Sequence, residues 1–291
     1  MFSGVYTALI TPFSKNGELD KEKLKDLVDF QIAEGISGLV PVGTTGESPT
    51  LTIKENIDVI NLVVKQSAGR KNVIAGTGAN CTAEALEMTQ AAKDIGADAS
   101  LQVAPYYNKP NQEGLYRHFM TIADNVDLPI VVYNIQGRSG VNIETDTLMR
   151  LASHPNIIAV KEASGNIGQM MDVLSRKPDD FALLSGDDNI AMPITLLGGS
   201  GVISVASNLI PAEMESMIGS ALKGDLKKAR DLHYKLLPLF KAMTLETNPL
   251  PIKSAMSLIG NIEEVFRLPL CPPSEETKEQ LKIVLKQQGL L

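Results

Sequence analysis

The sequence predicts an α/β chain folded as a (β/α)8 TIM barrel with a C-terminal helical extension. Three observations carry that expectation. Short apolar runs alternate with amphipathic helical patterns almost from end to end. The runs are continuous in their apolar character, which marks strands covered on both faces and hence a parallel sheet. Beyond Val205 only helical patterns remain. A doubly wound open sheet satisfies the same count of strands, since counting does not separate a closed sheet from an open one.

In order, the runs span 4–10, 38–42, 72–76, 99–104, 129–134, 156–161, 181–185 and 201–205, each flanked by Gly, Pro or polar turn residues. Between the first two, Asp20 is placed to cap a helix whose stripe is Leu24, Leu27, Val28 and Ile32, and Gly35 to end it. Thr52 and Glu55 have capping-box spacing ahead of a helix carrying Val59, Ile60 and Val63. Thr82 is expected to cap the next, with Ala85, Met88, Ala92 and Ile95 on one face. The last helical patterns cover 211–222, which completes the barrel, then 225–243, 251–259 and 275–286. The expected organisation is a catalytic barrel at 1–224 and a helical extension at 225–291.

Composition narrows the function classes. The 291 residues carry 27 basic and 34 acidic side chains, a net charge of −7 with no basic block, which opposes non-specific nucleic-acid binding. Residues 1–13 lack a basic leader pattern and read as a first strand. No apolar run is long enough to span a bilayer. The two cysteines, Cys81 and Cys271, lie far apart and make no disulfide framework, so a cytoplasmic protein is expected.

In such barrels the chemistry sits at the C-terminal ends of the strands. The polar clusters fall there: Gly43-Thr44-Thr45-Gly46-Glu47, Gly76-Thr77-Gly78-Ala79-Asn80, Pro105-Tyr106-Tyr107-Asn108, Tyr133-Asn134 with Gly137-Arg138-Ser139-Gly140, Lys161, and Ser185-Gly186-Asp187-Asp188. Lys161 ends an apolar run. It fits either a side chain snorkelling to solvent or an amine held in a dry pocket, where a neutral amine attacks carbonyl carbon. Its convergence with the tyrosines on one rim favours the second. Residues 43–47 fit a tight turn or a carboxylate cradle. Tyr133 fits a core tyrosine or a proton carrier, and Arg138 a solvated side chain or a carboxylate clamp. Tyr106 and Tyr107 are adjacent, so on an extended segment their rings point apart and do not share a role.

Other motifs are weak. Gly76-Thr77-Gly78 lacks the remainder of a dinucleotide fingerprint. Gly198-Gly199-Ser200-Gly201 precedes the last strand, the wrong end of the barrel for a phosphate, and reads as a turn. His118, His154 and His233 show no ligand spacing. Asp187 and Asp188 with Glu47 suit either Mg²⁺ or helix capping, and capping is preferred. No metal and no cofactor are expected, so carbonyl chemistry here relies on an amine.

Taken together, these motifs resemble the dihydrodipicolinate synthase family, within the superfamily that includes N-acetylneuraminate lyase. The similarity runs over essentially the whole chain and includes Val160-Lys161-Glu162-Ala163 and Asn248-Pro249-Leu250-Pro251-Ile252-Lys253. It implies a lyase that condenses pyruvate with L-aspartate 4-semialdehyde to 4-hydroxy-tetrahydrodipicolinate, in lysine and diaminopimelate biosynthesis. By resemblance Lys161 forms the Schiff base and Tyr133 donates and accepts protons. Thr44 links Tyr133 to Tyr107 of a neighbouring subunit, and Arg138 binds the semialdehyde carboxylate. Thr45 holds the pyruvate carboxylate and the Ile203 carbonyl lines the pocket. Thr44-Thr45 and Arg138 favour the synthase over a sialic-acid lyase. The family's usual Val-Pro before Gly-Arg is Ile135-Gln136 here, which puts the rigidity of Arg138 in question.

The resemblance also implies a homotetramer, a dimer of dimers, and an allosteric lysine site at Ser48, Asn80, Glu84 and Tyr106. Ile53 and Asn56 stand where responsive members place histidines, so lysine inhibition is expected to be weak or absent. Three rival readings are another pyruvate-dependent aldolase acting on a sugar acid, a hydrolase using Glu47 and Glu162, and a non-catalytic barrel that binds small acids.

Overall fold

The computed structural model describes residues 2–291. Eight parallel strands close into a barrel in the order of the sequence. They are β1 (Gly4–Ala8), β2 (Gly38–Val40), β3 (Asn72–Gly76), β4 (Ala99–Val103), β5 (Ile130–Asn134), β6 (Ile157–Glu162), β7 (Ala182–Ser185) and β8 (Gly201–Ser204). The pairing of β1 with β8, Gly4 opposite Gly201 and Val5 opposite Val202, rules out the open sheet. Two glycines make this seam possible. Gly201 has φ +139°, and a side chain there would strike the Gly4 carbonyl. The glycine run before β8 therefore serves barrel closure, with Ser200 accepting at 2.9 Å from the Gly4 amide.

The outer helices are α1 (Lys21–Ala33), α2 (Ile53–Ser67), α3 (Thr82–Ile95), α4 (Gln112–Asn125), α5 (Gln136–Ser139), α6 (Thr145–Ala152), α7 (Ile167–Arg176), α8 (Asp188–Leu196) and α9 (Pro211–Leu222). After them come α10 (Leu226–Ala242), α11 (Leu250–Leu258) and α12 (Glu275–Gln287). Helix α10 packs on α8 and α9, and α12 packs on α10 and α11. The caps on α1 and α2 form as expected. Asp20 accepts from the Lys23 amide, and Thr52 and Glu55 complete a reciprocal capping box. The cap on α3 is a correction: Cys81 is the extended capping residue, while Thr82 lies inside the helix and bonds His118 Nδ1 at 2.9 Å. Burial pushes His118 down to about 4, so it is a neutral core residue.

Strand ends also differ from the sequence expectation. Pairing of β2 stops at Val40, because Val42 turns left-handed at φ +50°. Strand β1 stops at Ala8, and the Ile10 amide is taken by Asn208 Oδ1 at 3.2 Å. Strand β6 runs one residue past Lys161, to Glu162.

Strand alternation sorts the side chains into two cores. Tyr6, Ala8, Val40, Ile74, Ala99, Leu101, Val131, Tyr133, Ala159, Ala182, Leu184 and Ile203 form one cluster, the barrel interior. Their sequence neighbours, such as Val132, Val160 and Leu183, join a separate cluster with the helices. Lys161 stands two residues after the inward Ala159 and therefore points in. Glu162 points out.

Candidate active site

Lys161 is buried, at 6% exposure, near the C-terminal end of the barrel interior. It pairs in register with Tyr133 on β5, and its Nζ lies 4.2 Å from the centre of that ring. On its other side the backbone of Gly186 presses against the lysine stem. A Cβ at Gly186 would sit 2.9 Å from Lys161 Cε, so only glycine fits without moving the amine. The sequence places Gly186 on the rim without showing this contact.

A cavity of about 580 Å³ lies against Tyr133. Thr44, Tyr133, Arg138 and Ser139 line it, and so do Ser48, Ile53, Asn56, Glu84 and Tyr106. Thr45 is buried, and its Oγ1 accepts from Asn248 Nδ2 at 3.0 Å. Ile203 is fully buried in the barrel cluster that contains Tyr133.

Arg138 is exposed at the cavity edge, yet it is held. Its Nη2 donates to the Asn248 carbonyl at 3.0 Å and to Thr247 Oγ1 at 3.3 Å. The loop beneath it is the one-turn helix α5, closed by the Arg138 and Ser139 amides on the Ile135 carbonyl at 3.1 and 3.0 Å. Gln136 occupies the first helical position, where proline is favoured because its missing N–H has no partner in the helix. Exchanging proline for glutamine therefore leaves the turn's hydrogen bonds in place.

The four residues expected to form an effector site are also near one another. Ser48, Glu84 and Tyr106 line the cavity, and Asn80 Nδ2 donates to the Tyr106 carbonyl at 3.1 Å. Burial, with Glu84 nearby, pushes the Tyr106 hydroxyl up from its usual range. Asn56 is buried; its Nδ2 donates to the carbonyls of Ser48, Leu51 and Thr52, and its Oδ1 has no partner.

Of the expected site residues, Lys161, Thr45, Ile203 and Asn80 are absent from the cavity's lining, and Tyr107 turns away from it altogether. Its ring is 89% exposed and faces solvent, while Tyr106 faces the cavity. The separation comes from a left-handed backbone at Tyr107, φ +73°, where the sequence suggested the alternation of an extended segment.

The carboxylates of the hydrolase reading are engaged elsewhere. Glu162 is fully buried on the outer face of β6, accepting from Asn134 Nδ2 at 2.9 Å and the Ser164 amide at 2.7 Å. Glu47 is fully buried against Lys253. Asp187 caps α8, and Asp188 accepts from the Val205 and Ala206 amides at 3.1 and 2.9 Å, which is the capping role preferred from the sequence.

The model of the dihydrodipicolinate synthetase family matches residues 1–288. The chain belongs to that family. The 4-hydroxy-tetrahydrodipicolinate synthase of Endomicrobium trichonymphae is 51% identical over 292 residues, covering all of both chains. The crystal structure of dihydrodipicolinate synthase from Aquifex aeolicus superposes with a TM-score of 0.98 at 48% identity, over 99% of each chain. That of the chloride-inhibited dihydrodipicolinate synthase from Acinetobacter baumannii, complexed with pyruvate, gives 0.99 at 42% identity over the full length of both. Within this family fold, the sequence reading missed Gly186, Asn248 and the Glu47–Lys253 pair. Each lay within a motif singled out from the sequence, at 43–47, 185–188 or 248–253, but none of their contacts was read from it.

Proposed function

We propose that the chain is a 4-hydroxy-tetrahydrodipicolinate synthase, a lyase that joins pyruvate to L-aspartate 4-semialdehyde on the way to lysine and diaminopimelate. The observation that carries this reading is a buried lysine amine 4.2 Å from the ring centre of Tyr133, a tyrosine that lines one cavity together with Thr44 and Arg138. Full-length identity of about half to named synthases supports the substrate pair.

In this mechanism the Lys161 amine attacks the ketone carbon of pyruvate, and loss of water leaves an imine. The imine draws electrons from the adjacent methyl group, which gives up a proton and becomes an enamine. The enamine carbon adds to the aldehyde of the semialdehyde, and the new alkoxide takes a proton. The substrate's own amine then attacks the imine carbon, closes the ring and expels Lys161. Tyr133 carries protons in these steps through Thr44. Thr45 and the Ile203 carbonyl hold pyruvate, and Arg138 pairs with the semialdehyde carboxylate. The reading is tested by offering the enzyme pyruvate with semialdehyde and, separately, keto-deoxy sugar acids. Faster turnover of a sugar acid would replace the synthase by the aldolase alternative.

The assembly we propose is a homotetramer of two tight dimers. A tyrosine 89% exposed beside the site supports a partner surface here, across which Tyr107 would complete the proton path of the neighbouring subunit. A fully active monomer in sedimentation and activity measurements would contradict this. Among the described residues no helix is long and apolar enough to cross a membrane. The exposed, unpaired Cys81 and Cys271 support a cytoplasmic setting.

Lysine is expected to inhibit weakly or not at all. Ile53 offers the cavity no polar side-chain atom, and the donor nitrogen of the buried Asn56 is already spent on three carbonyls, which leaves its Oδ1 as the one unpartnered polar atom where a histidine would stand. Inhibition by sub-millimolar lysine in a steady-state assay would refute this expectation.

A further inference from the structure

Residues 42–47 contain two non-glycine residues in the left-handed region, Val42 at φ +50° and Glu47 at φ +55°. Such backbone persists only where its surroundings over-determine it. Here most of the outside grip comes from the chain beyond the barrel. Asn248 Nδ2 holds Thr45 Oγ1, Lys253 Nζ holds Glu47 Oε1, and the Arg267 amide reaches Glu47 Oε2 at 3.4 Å. Thr11 adds a bond to the Gly46 carbonyl at 2.6 Å.

Lys253 and Glu47 are both fully buried, 206 residues apart in sequence. The ammonium is further held by the Val265 carbonyl at 2.7 Å and lies 4.3 Å from the Phe13 ring centre. Burial pushes the lysine down from its usual range, and Glu47 opposes that shift. A fully desolvated ion pair is a poor source of stability compared with an apolar pair of the same size, whereas it does fix one geometry. The anchor and the catalytic threonine share one turn, because the Glu47 amide donates to the Thr44 carbonyl at 3.1 Å. Asn248, just ahead of α11, grips Thr45 and Arg138 together.

We propose that the Lys253–Glu47 pair is a positioning device through which the C-terminal extension sets residues 43–47, and with them Thr44 and Thr45, for pyruvate. The proposal rests on the roles given to those threonines above. Its purpose is geometric, so both residues are positioning residues and neither touches the reacting atoms.

The test is the double variant Glu47→Gln/Lys253→Met, which removes both charges together and leaves none buried alone. Glu47→Asp, which keeps the pair but shortens its arm, is the second variant should the first fail to fold. Hydrogen exchange is followed across residues 42–51, and steady-state kinetics are measured with pyruvate. We expect loop amides to exchange about tenfold faster or more while α4 and α6 stay protected. Pyruvate KM is expected to rise about tenfold, with a smaller change in kcat. Loop exchange or a pyruvate KM within about twofold of the parent protein overturns the proposal, because a merely structural pair would lower stability and leave the KM of the folded enzyme alone. The parent protein is treated with pyruvate and borohydride in parallel. Labelling at Lys161 with an unchanged variant KM defeats the clamp alone. Absence of labelling defeats the reading of the site and takes the clamp's purpose with it.

Discussion

Lys161→Ala is expected to lower turnover of pyruvate and semialdehyde by on the order of 10⁴-fold or more, because in the proposed mechanism every bond-forming step passes through its amine. No other side chain is placed to substitute. Arg138, the cationic side chain that lines the cavity, has a guanidinium that does not form an imine and is bonded to Asn248 and Thr247. The loss should be chemical in origin. Lys161 is buried and forms no ion pair among the described residues, so truncation removes a buried amine and leaves no orphaned partner. The melting temperature should therefore hold or rise slightly, offset by the cavity left against Gly186. Lys161→Arg should be as inactive as the alanine variant. Residual kcat above about one percent of the parent protein's in either variant would refute the covalent role.

Tyr133→Phe is expected to reduce kcat by about 10²–10³-fold, the range for losing a positioned proton carrier. The ring itself stays, along with its contact to Lys161 at 4.2 Å and its place in the barrel cluster, so folding and pyruvate binding should change little. Imine formation should still be detectable after long incubation. That outcome separates a proton carrier from a residue that merely shapes the pocket, since a shape defect would raise KM and spare kcat. A Tyr133→Phe enzyme with kcat near the parent protein's would remove Tyr133 from the proton path.

The barrel was legible because its strands are covered on both faces, and residues such as Ile130, Val131 and Val132 stay apolar without alternation. Closure was not legible, since it depends on two glycines, Gly4 and Gly201, that meet across 197 residues of chain, the same separation that joins Ser3 to Ser200. Lys161 could be singled out because a charge at the end of an apolar run is unusual. Glu162 beside it was equally unusual, and only the outward pleat and Asn134 show that it serves the wall. Local chemistry misled where tertiary contact dominates. Val42 has every property of a strand residue but is bent left-handed beside loop anchors that come from residues 248–267. Thr82 looks like a cap, yet His118 takes its hydroxyl. Gly186 and Asn248 act through close approach and hydrogen bonding across the fold, which no spacing rule reveals.

The account turns on one covalent bond. Incubating the protein with pyruvate and borohydride, digesting it and mapping the added mass tests that bond directly. The account predicts one reduced pyruvate adduct per chain, on the peptide carrying Lys161, and none after Lys161→Ala. A protein that stays unmodified at Lys161 under saturating pyruvate, or that carries the adduct on another lysine, contradicts it.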